Sequence, residues 1–410
     1  MNNIKVFIHI IVGIILRLLF YSSKLKNILI SLLFFPSYAY NFDNLNENFF
    51  YNSIINQENN STIYTKNNFI SQPILIFYMK FKDIKKDYIF YFFIFIDVLI
   101  SLLLYKIKTK LNKETNLDNN EKENHYIIAI YLFNPISILA CVNFRLDIIY
   151  TLFNLLFVIN IHNFILSSIF LFVSIIISPG YIFISIGYII YYLLSDLKHA
   201  KNNIILLFII LICYLSSDKY LGYNTKKNLF EIYFNYYNVS DTLPNFSFIW
   251  SLLPGTFLKY QNYTKIMILI YQFSLVIAAM TITYRVNNKD YQFKNSLIYS
   301  IIFLINHIFD RYPSEIHYMI ILILLFQHWD IIKVEILNLA VYCSIAGYTL
   351  IIVRGFPYIF RKSGTSNYLF FQNVTYEIAM TFILMCCLNG INNFRKKCKK
   401  RDKYGIIEEE

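Results

Sequence analysis

Three histidines near acidic side chains are the first residues of this sequence that suit a chemical role. The group consists of His307, His317, His328, Asp310, Glu315 and Asp330. Imidazole and carboxylate groups are common zinc ligands. His307 and His317 share one helical stripe only if Pro313 leaves the helix between them intact, and proline usually breaks a helix. We therefore predict no metal site and no cofactor.

A pair of acidic residues, Asp43 and Glu47, is the second group with chemical potential. A carboxylate can deprotonate an acceptor hydroxyl. Large membrane glycosyltransferases that use lipid-linked sugars place a paired Asp-x-Asp in their first lumenal loop. Asp43 and Glu47 stand four apart and lack that pairing. We interpret them as part of a solvated loop, predict no catalytic residue, and keep a lipid-linked-sugar-dependent mannosyltransferase as the alternative function.

Charged residues inside apolar stretches are the stronger signal, because each costs roughly 2.5–3.5 kcal/mol on insertion scales. Five residues qualify: Asp97, Arg145, Asp147, Asp310 and Arg311. Arg145 with Asp147 and Asp310 with Arg311 are possible ion pairs at the ends of spans. An arginine at the membrane interface can also bind a phosphate with two parallel hydrogen bonds. Both interpretations stay open.

The amino-acid composition is that of a membrane protein, so we expect these residues to be held in place by membrane helices. Of the 410 residues, 57% are hydrophobic and only 15% are charged, whereas a soluble domain has about 25% charged residues. The net charge of +12 fits lysine-rich cytoplasmic loops under the positive-inside rule. We predict an all-α polytopic membrane protein and no nucleic-acid partner.

Thirteen apolar segments define the predicted membrane domain, which we treat as a single domain over residues 1–410. Several are shorter than the ~20 residues that a perpendicular span needs, so we predict that some helices are broken or re-entrant. Both chain ends in the cytoplasm require an even number, which favours about 12 transmembrane helices. The segments are 4–20, 88–105, 126–143, 148–160, 163–178, 180–194, 203–217, 246–258, 265–284, 295–309, 316–329, 334–353 and 368–389.

Three polar segments set the predicted orientation. Residues 21–86 form a lumenal loop, with overlapping glycosylation acceptors at Asn59 and Asn60. Residues 106–125 form a lysine-rich cytoplasmic loop, and 392–410 form a basic cytoplasmic tail. Arg17, near the end of the first span, is expected to snorkel or to face the interior.

The segment from Ile127 to Asp147 breaks its own helix at Asn134-Pro135. Proline removes one backbone donor and frees a carbonyl. In lipid the freed groups must be met by neighbouring helices, side chains or trapped water. We therefore predict that this segment packs inside a bundle, next to something polar.

Four motifs in order along the chain are similar to those of one known family. They are Tyr131-Leu-Phe-Asn134-Pro135-Ile-Ser-Ile-Leu-Ala-Cys141-Val, Asp241-Thr-Leu-Pro244-Asn245-Phe-Ser-Phe-Ile-Trp250, Arg311-Tyr312-Pro313 with the apolar run to Trp329, and Gly364-Thr-Ser-Asn367. The chain resembles PIG-U, a membrane subunit of the GPI transamidase. It departs from the family after Pro313, where it has Ser-Glu-Ile-His, and at Leu369.

The resemblance implies a multi-pass protein of the endoplasmic reticulum membrane with a fold like that of the integral-membrane (GT-C-like) glycosyltransferases. It implies a non-catalytic subunit that helps recognise the GPI glycolipid or the C-terminal attachment signal while the anchor is attached. Its partners would be the other transamidase subunits, including a caspase-like subunit that supplies the catalytic cysteine. The residues predicted for lipid binding or for structure are Asn134, Pro135, Arg145, Asp241, Pro244, Asn245, Trp250, Tyr312, Pro313 and Asn367.

Overall fold

Helices make up nearly all of the chain that the structure, a computed structural model, describes. The described residues are 2–23, 86–114, 124–161, 163–177, 180, 182–216, 260–286, 295–310, 313–332, 335–360 and 366–404. In hydrocarbon a helix satisfies its backbone groups within one segment, so even the Ile-, Phe- and Tyr-rich runs of this chain become helical. The all-α prediction is confirmed for this part of the chain.

Fourteen helices are described, and they are numbered here in chain order. The first seven are α1 (Asn2–Ser22), α2 (Lys86–Glu114), α3 (Tyr126–Leu132), α4 (Pro135–Val142), α5 (Asp147–Ile159), α6 (Phe164–Ile177) and α7 (Ile182–Ser195). The other seven are α8 (Leu197–Ser216), α9 (Gln261–Val286), α10 (Asn295–Phe309), α11 (Glu315–Gln327), α12 (Trp329–Ile332), α13 (Glu335–Phe360) and α14 (Ser366–Tyr404).

The predicted break at Asn134-Pro135 is confirmed, since α3 ends before it and α4 begins at the proline. Two predicted boundaries are wrong. Helix α2 continues through the lysines after residue 105 to Glu114, and α14 continues through the basic cluster to Tyr404. Lysine and arginine are good helix formers, so the backbone stays helical past the point where the apolar run ends. The predicted loop over 106–125 is therefore helical from residue 106 to Glu114, and its cytoplasmic placement stays a prediction.

Four of the described helices are long and apolar enough to cross a membrane: Ile4–Ser22, Asp87–Leu111, Gln261–Tyr284 and Phe370–Phe394. Several shorter apolar helices, among them α5, α6, α7, α10 and α11, fit the expected broken architecture. These apolar helices identify a membrane protein. The total of twelve spans and the sidedness of the loops stay predictions, and the predicted span 246–258 lies outside the described residues.

The centre of the described bundle is formed by α10 and α11. All five residues from Ile301 to Ile305 on α10 have no exposed surface, and α11 is buried on nearly every side. Helix α10 packs against α5, α7, α9, α11 and α14, while α11 packs against α3, α4 and α5. The broken segment α3–α4–α5 therefore lies against the most buried hairpin of the protein.

One glycine allows an unusually close approach of two helices. A Cβ atom on Gly390 of α14 would lie 2.7 Å from the Cα atom and 2.8 Å from the carbonyl oxygen of Ile332 in α12. Real Cβ atoms do not come this close to backbone atoms, so only glycine fits there. This contact fixes α14 against the end of the α11–α12 segment.

Candidate functional site

The break between α3 and α4 is closed by the side chain of Asn134. Its backbone is extended (ψ 128°), and its side-chain oxygen accepts a hydrogen bond from the backbone nitrogen of Ile136 at 2.9 Å. Pro135 occupies the first helical position, where the missing N–H would have no partner anyway. Asn134 and Pro135 thus form an N-cap, and they start α4 cleanly in an apolar environment.

The carbonyl groups freed by the break are met by side chains. Pro135 cannot donate to the carbonyl of Tyr131, and the hydroxyl of Ser137 donates to it instead at 2.6 Å. The next carbonyl, that of Leu132, accepts a hydrogen bond from Nη1 of Arg17 at 3.0 Å. The prediction that neighbouring side chains satisfy the break is confirmed.

Arg17 is the centre of the first buried polar cluster. Its Nε donates to Asp97 Oδ2 at 2.7 Å, and its Nη2 forms an ion pair with the same carboxylate. The hydroxyl of Tyr131 donates to the other carboxylate oxygen of Asp97. Nη1 also donates to the carbonyl of Gly13 at 2.9 Å, and Nη2 donates to Ser137 Oγ at 3.2 Å. This cluster joins α1, α2, α3 and α4, and it shows Arg17 facing the interior.

A second turn, between α4 and α5, ends in Arg145. Phe144 adopts the left-handed conformation (φ 53°), which costs a side-chain-bearing residue roughly 1–2 kcal/mol. The nitrogens of Phe144 and Arg145 donate to the carbonyls of Cys141 and Ala140 at 3.2 and 3.1 Å, the pattern of a Schellman helix end. The ring of Phe144 is buried against Phe90 and Phe93. That burial opposes the backbone cost, and the turn holds Arg145 inside the protein.

Arg145 is the centre of the second buried polar cluster. Its Nε donates to Asp147 Oδ2 at 3.0 Å, and its Nη2 pairs with the same oxygen. Nη2 also lies 3.4 Å from Oε2 of Glu315 in α11. Asp147 additionally accepts hydrogen bonds from the hydroxyls of Tyr150 and, at 2.6 Å, Ser314. The two carboxylates and one guanidinium lie fully inside the protein and connect α5 to the start of α11.

The structure brings together some of the predicted site residues. Asn134 and Pro135 lie at the first cluster, and Arg145 lies at the second. Pro313 is buried directly before Ser314, in the break between α10 and α11. Asn367 lies in the first turn of α14. Asp241, Pro244, Asn245, Trp250 and Tyr312 lie outside the described residues and stay predictions.

Several residues of the two clusters carry no sequence signal of their own. Ser137, Tyr150 and Ser314 are common residues in apolar runs, and only the fold places them beside carbonyl or carboxylate oxygens. Glu315 is the exception, since a carboxylate at the start of an apolar helix is costly. The sequence placed it in a histidine group, whereas in the fold it faces Arg145 from 170 residues away.

The histidines of that group also have packing roles. Nε2 of His307 lies 2.9 Å from the hydroxyl of Tyr376 in α14. The ring of His317 packs against Tyr150 and Phe303. The break predicted at Pro313 is present, because α10 ends at Phe309 and α11 starts at Glu315. Within the described ranges, no three metal-ligating side chains form a group.

Several buried polar side chains have atoms without a hydrogen-bond partner in the described part of the chain. Among them are the hydroxyl of Thr151, both amide atoms of Asn154 and the hydroxyl of Tyr299, and each of these three side chains is at most 1% exposed. Thr151 and Asn154 are adjacent on one face of α5. That face also carries Tyr150, a member of the second cluster. A buried polar group without a partner costs about 1–3 kcal/mol, so these side chains are candidates for contact with a polar ligand, with water or with residues outside the described ranges.

These features define a helical membrane protein whose broken helices are held together by buried ion-pair clusters. A family model described as GPI transamidase subunit PIG-U matches residues 11–376. The match covers most of the chain and includes both clusters, so the chain belongs to the PIG-U family of GPI transamidase subunits. No curated protein matches the chain.

Proposed function

We propose that this chain is a non-catalytic GPI transamidase subunit of the endoplasmic reticulum membrane that helps recognise the GPI lipid or the C-terminal attachment signal. Family membership supports the place in the complex. The partners are the other transamidase subunits, among them a caspase-like subunit that carries the catalytic cysteine. Within the described ranges, Cys141 and Cys387 have no exposed surface, which makes them poor nucleophiles, whereas Cys343 is exposed.

The observation that carries this proposal is the family match over residues 11–376, and the unpartnered polar groups on α5 are the residues through which we test recognition. Thr151 and Asn154 present a hydroxyl, an amide N–H group and an amide oxygen that have no partner among the described residues. All of these groups are neutral. Neutral donors and acceptors match the hydroxyl groups of an inositol or glycan, and also the backbone of a peptide. We favour the hydroxyl-rich lipid head because Asn154 supplies donors and an acceptor within one side chain.

The charges nearby support a structural role for Arg145. Its guanidinium already faces two carboxylates, those of Asp147 and Glu315. A lipid phosphate brought to Arg145 would meet both of these negative charges. We therefore assign Arg145 to holding α5 against α11, and we assign the contacts with the lipid head to neutral side chains.

The test compares Asn154→Leu and Thr151→Val with the control Thr349→Val, which alters an exposed hydroxyl on α13. Each variant is expressed in cells that lack the chain. We expect the two site variants to lower GPI-anchored protein at the cell surface severalfold while co-purification with the partner subunits stays normal. Normal surface levels for both site variants would refute the recognition role. A clean purification without partner subunits would refute the place in the complex.

Two further experiments distinguish a recognition subunit from the alternative, a mannosyltransferase. Asp43→Ala with Glu47→Ala abolishes function if these carboxylates are catalytic, and it has little effect if the chain is a recognition subunit. The lipid that accumulates without the chain also differs. A missing mannosyltransferase leaves a truncated glycolipid, whereas a missing transamidase subunit leaves a complete one that is not attached to protein.

A further inference from the structure

A groove of about 560 Å³ lies where α7 ends and α8 begins. Its walls combine apolar side chains with two lysines, and it lies apart from the two ion-pair clusters. The lining residues are Leu193, Leu197, Lys198, Lys201, Ile204 and Ile205.

The groove lies on the exposed side of α8, because the other side of this helix packs against the bundle. The inner face of the helix carries Ala200, which has no exposed surface, and Asn203, whose side-chain oxygen accepts a hydrogen bond from Ser168 of α6 at 3.1 Å. The face opposite to these residues is open, with Ile205 46% exposed and Ile209 49% exposed. One face of α8 is thus fixed to the bundle, and the other faces the surroundings of the protein.

The two lysines place positive charge at one end of the groove. Lys198 and Lys201 are three residues apart, so they are neighbours on the helix surface, where like charges destabilise each other. Asp196 supplies one negative charge nearby, and its side chain accepts a hydrogen bond from the backbone nitrogen of Lys198 at 3.1 Å. These three side chains leave a net charge of about +1. An anion with a single charge complements this end.

The rest of the groove is apolar, so a small soluble anion would fill only the lysine end. Ile204 and Ile205 continue the wall away from the lysines, and both are at least 40% exposed. At 1.5 Å per residue, Lys198 and Ile205 are about 10 Å apart along the helix. A molecule that fills both ends therefore carries a negative group and an apolar chain within about 10 Å.

We propose that this groove binds one anionic phospholipid of the surrounding bilayer. Its phosphate lies between Lys198 and Lys201, and one acyl chain runs along Ile204 and Ile205. The site is separate from the recognition site on α5, because Thr151 and Asn154 are buried inside the protein. A failure of one proposal therefore leaves the other unaffected.

The test uses the full chain with its accompanying subunits in nanodiscs of phosphatidylcholine with 10–20% phosphatidylserine or phosphatidylinositol, roughly the anionic share that gives a cytoplasmic leaflet its surface potential. Photoactivatable forms of phosphatidylserine and phosphatidylcholine serve as probes, and labelled peptides are identified by mass spectrometry. The variant is Lys198→Gln with Lys201→Gln. The control is Lys106→Gln with Lys110→Gln, two exposed lysines at the end of α2.

We expect the serine lipid to label peptides that contain Leu193 or Ile205 in preference to the choline lipid. Each lysine near an anionic lipid surface contributes about a fivefold preference, so the double variant should reduce this labelling by up to about 25-fold. The control variant should leave it unchanged. Equal labelling by both lipids, unchanged labelling in the double variant, or a crosslink to a partner subunit at these residues would overturn the proposal.

Discussion

The guanidinium of Arg17 and the carboxylate of Asp97 form an ion pair in which neither side chain has exposed surface. The same guanidinium donates a hydrogen bond to the carbonyl of Leu132 beside the helix break. One buried arginine therefore neutralises a charge in α2 and repairs the backbone of α3. The contact that neutralises Asp97 and the contact that satisfies the break are therefore made by the same side chain.

Removing the charge of Asp97 should destabilise the protein strongly. We expect Asp97→Asn to lower the free energy of unfolding by about 3–5 kcal/mol, because it leaves a buried guanidinium without a counter-charge. The double variant Arg17→Met with Asp97→Leu should recover much of this loss, since apolar side chains replace both charges. The fraction of monodisperse protein that remains after heating measures the loss in the single variant and the recovery in the double variant. Lys106→Met is the control. A double variant no more stable than the single one would contradict the pairing.

The hydroxyl of Ser137 should matter only while the helix is broken. Ser137→Ala leaves the carbonyl of Tyr131 with only the longer hydrogen bond from the backbone nitrogen of Asn134 at 3.3 Å, so we expect a loss of about 0.5–1.5 kcal/mol. In Pro135→Leu the backbone nitrogen at 135 can donate to that carbonyl, so Ser137→Ala should cost less there. A double-mutant cycle on thermal stability measures the difference. Equal costs in the two backgrounds would show that Ser137 does not serve the break.

The break itself should serve function more than insertion. We expect Pro135→Leu to restore a straighter helix, since it returns the missing donor. The variant should then enter the membrane normally and yet reduce the amount of GPI-anchored protein at the cell surface. Flow cytometry for anchored proteins and membrane fractionation for the chain provide the two measurements. Normal anchored-protein levels would argue against a role for the break.

Within the second cluster, Asp147 should matter more than Glu315. Asp147 accepts hydrogen bonds from Arg145, Tyr150 and Ser314, whereas Glu315 is 3.4 Å from the guanidinium. We expect Asp147→Asn to cost about 3–5 kcal/mol of stability, as for a broken buried pair, and Glu315→Gln to cost clearly less. Thermal unfolding of the two matched amide variants decides the order. The reverse order would mean that Glu315 is the main counter-charge.

Gly390 should tolerate no side chain. In Gly390→Ala the new methyl group meets the backbone of Ile332, which cannot move away without shifting α12. We expect a loss of about 1–3 kcal/mol, the usual cost of overpacking. Gly187→Ala is the matched comparison, because its methyl group meets only the side chain of Ile302 at 2.9 Å. The change Ile302→Ala removes all three atoms that meet the new methyl group, so Gly187→Ala should cost clearly less in that background. No side-chain truncation should relieve Gly390→Ala, because the clash there is with backbone atoms.

The local features of this fold could be predicted from the sequence, because their causes are local. Proline lacks a donor wherever it occurs, so the break at Asn134-Pro135 is visible without a structure. Arg145 and Asp147 are two residues apart, so an ion pair between them was one of the two interpretations that the sequence left open. The costly charge of Asp97 was also recognised.

The partners of these charges could not be predicted, because they depend on how distant helices pack. Arg17 is 80 residues from Asp97, and nothing near either residue identifies the other. Helix ends were misplaced for a different reason. The continuous apolar run of α2 ends at Tyr105, while the helix continues through Lys106 to Glu114. Hydropathy reports the first boundary only.

The spacing of the buried charges along the chain sets an order of events during synthesis. At about 5–20 residues per second, Asp97 follows Arg17 by roughly 4–16 s, so the first helix carries an unmatched positive charge during that interval. Arg145 and Asp147 emerge together and form a neutral unit at once. Glu315 arrives roughly 9–34 s later and adds its negative charge to a pair that already exists. The first helix is therefore the part of the nascent chain that carries an uncompensated buried charge for a time, until α2 has been made.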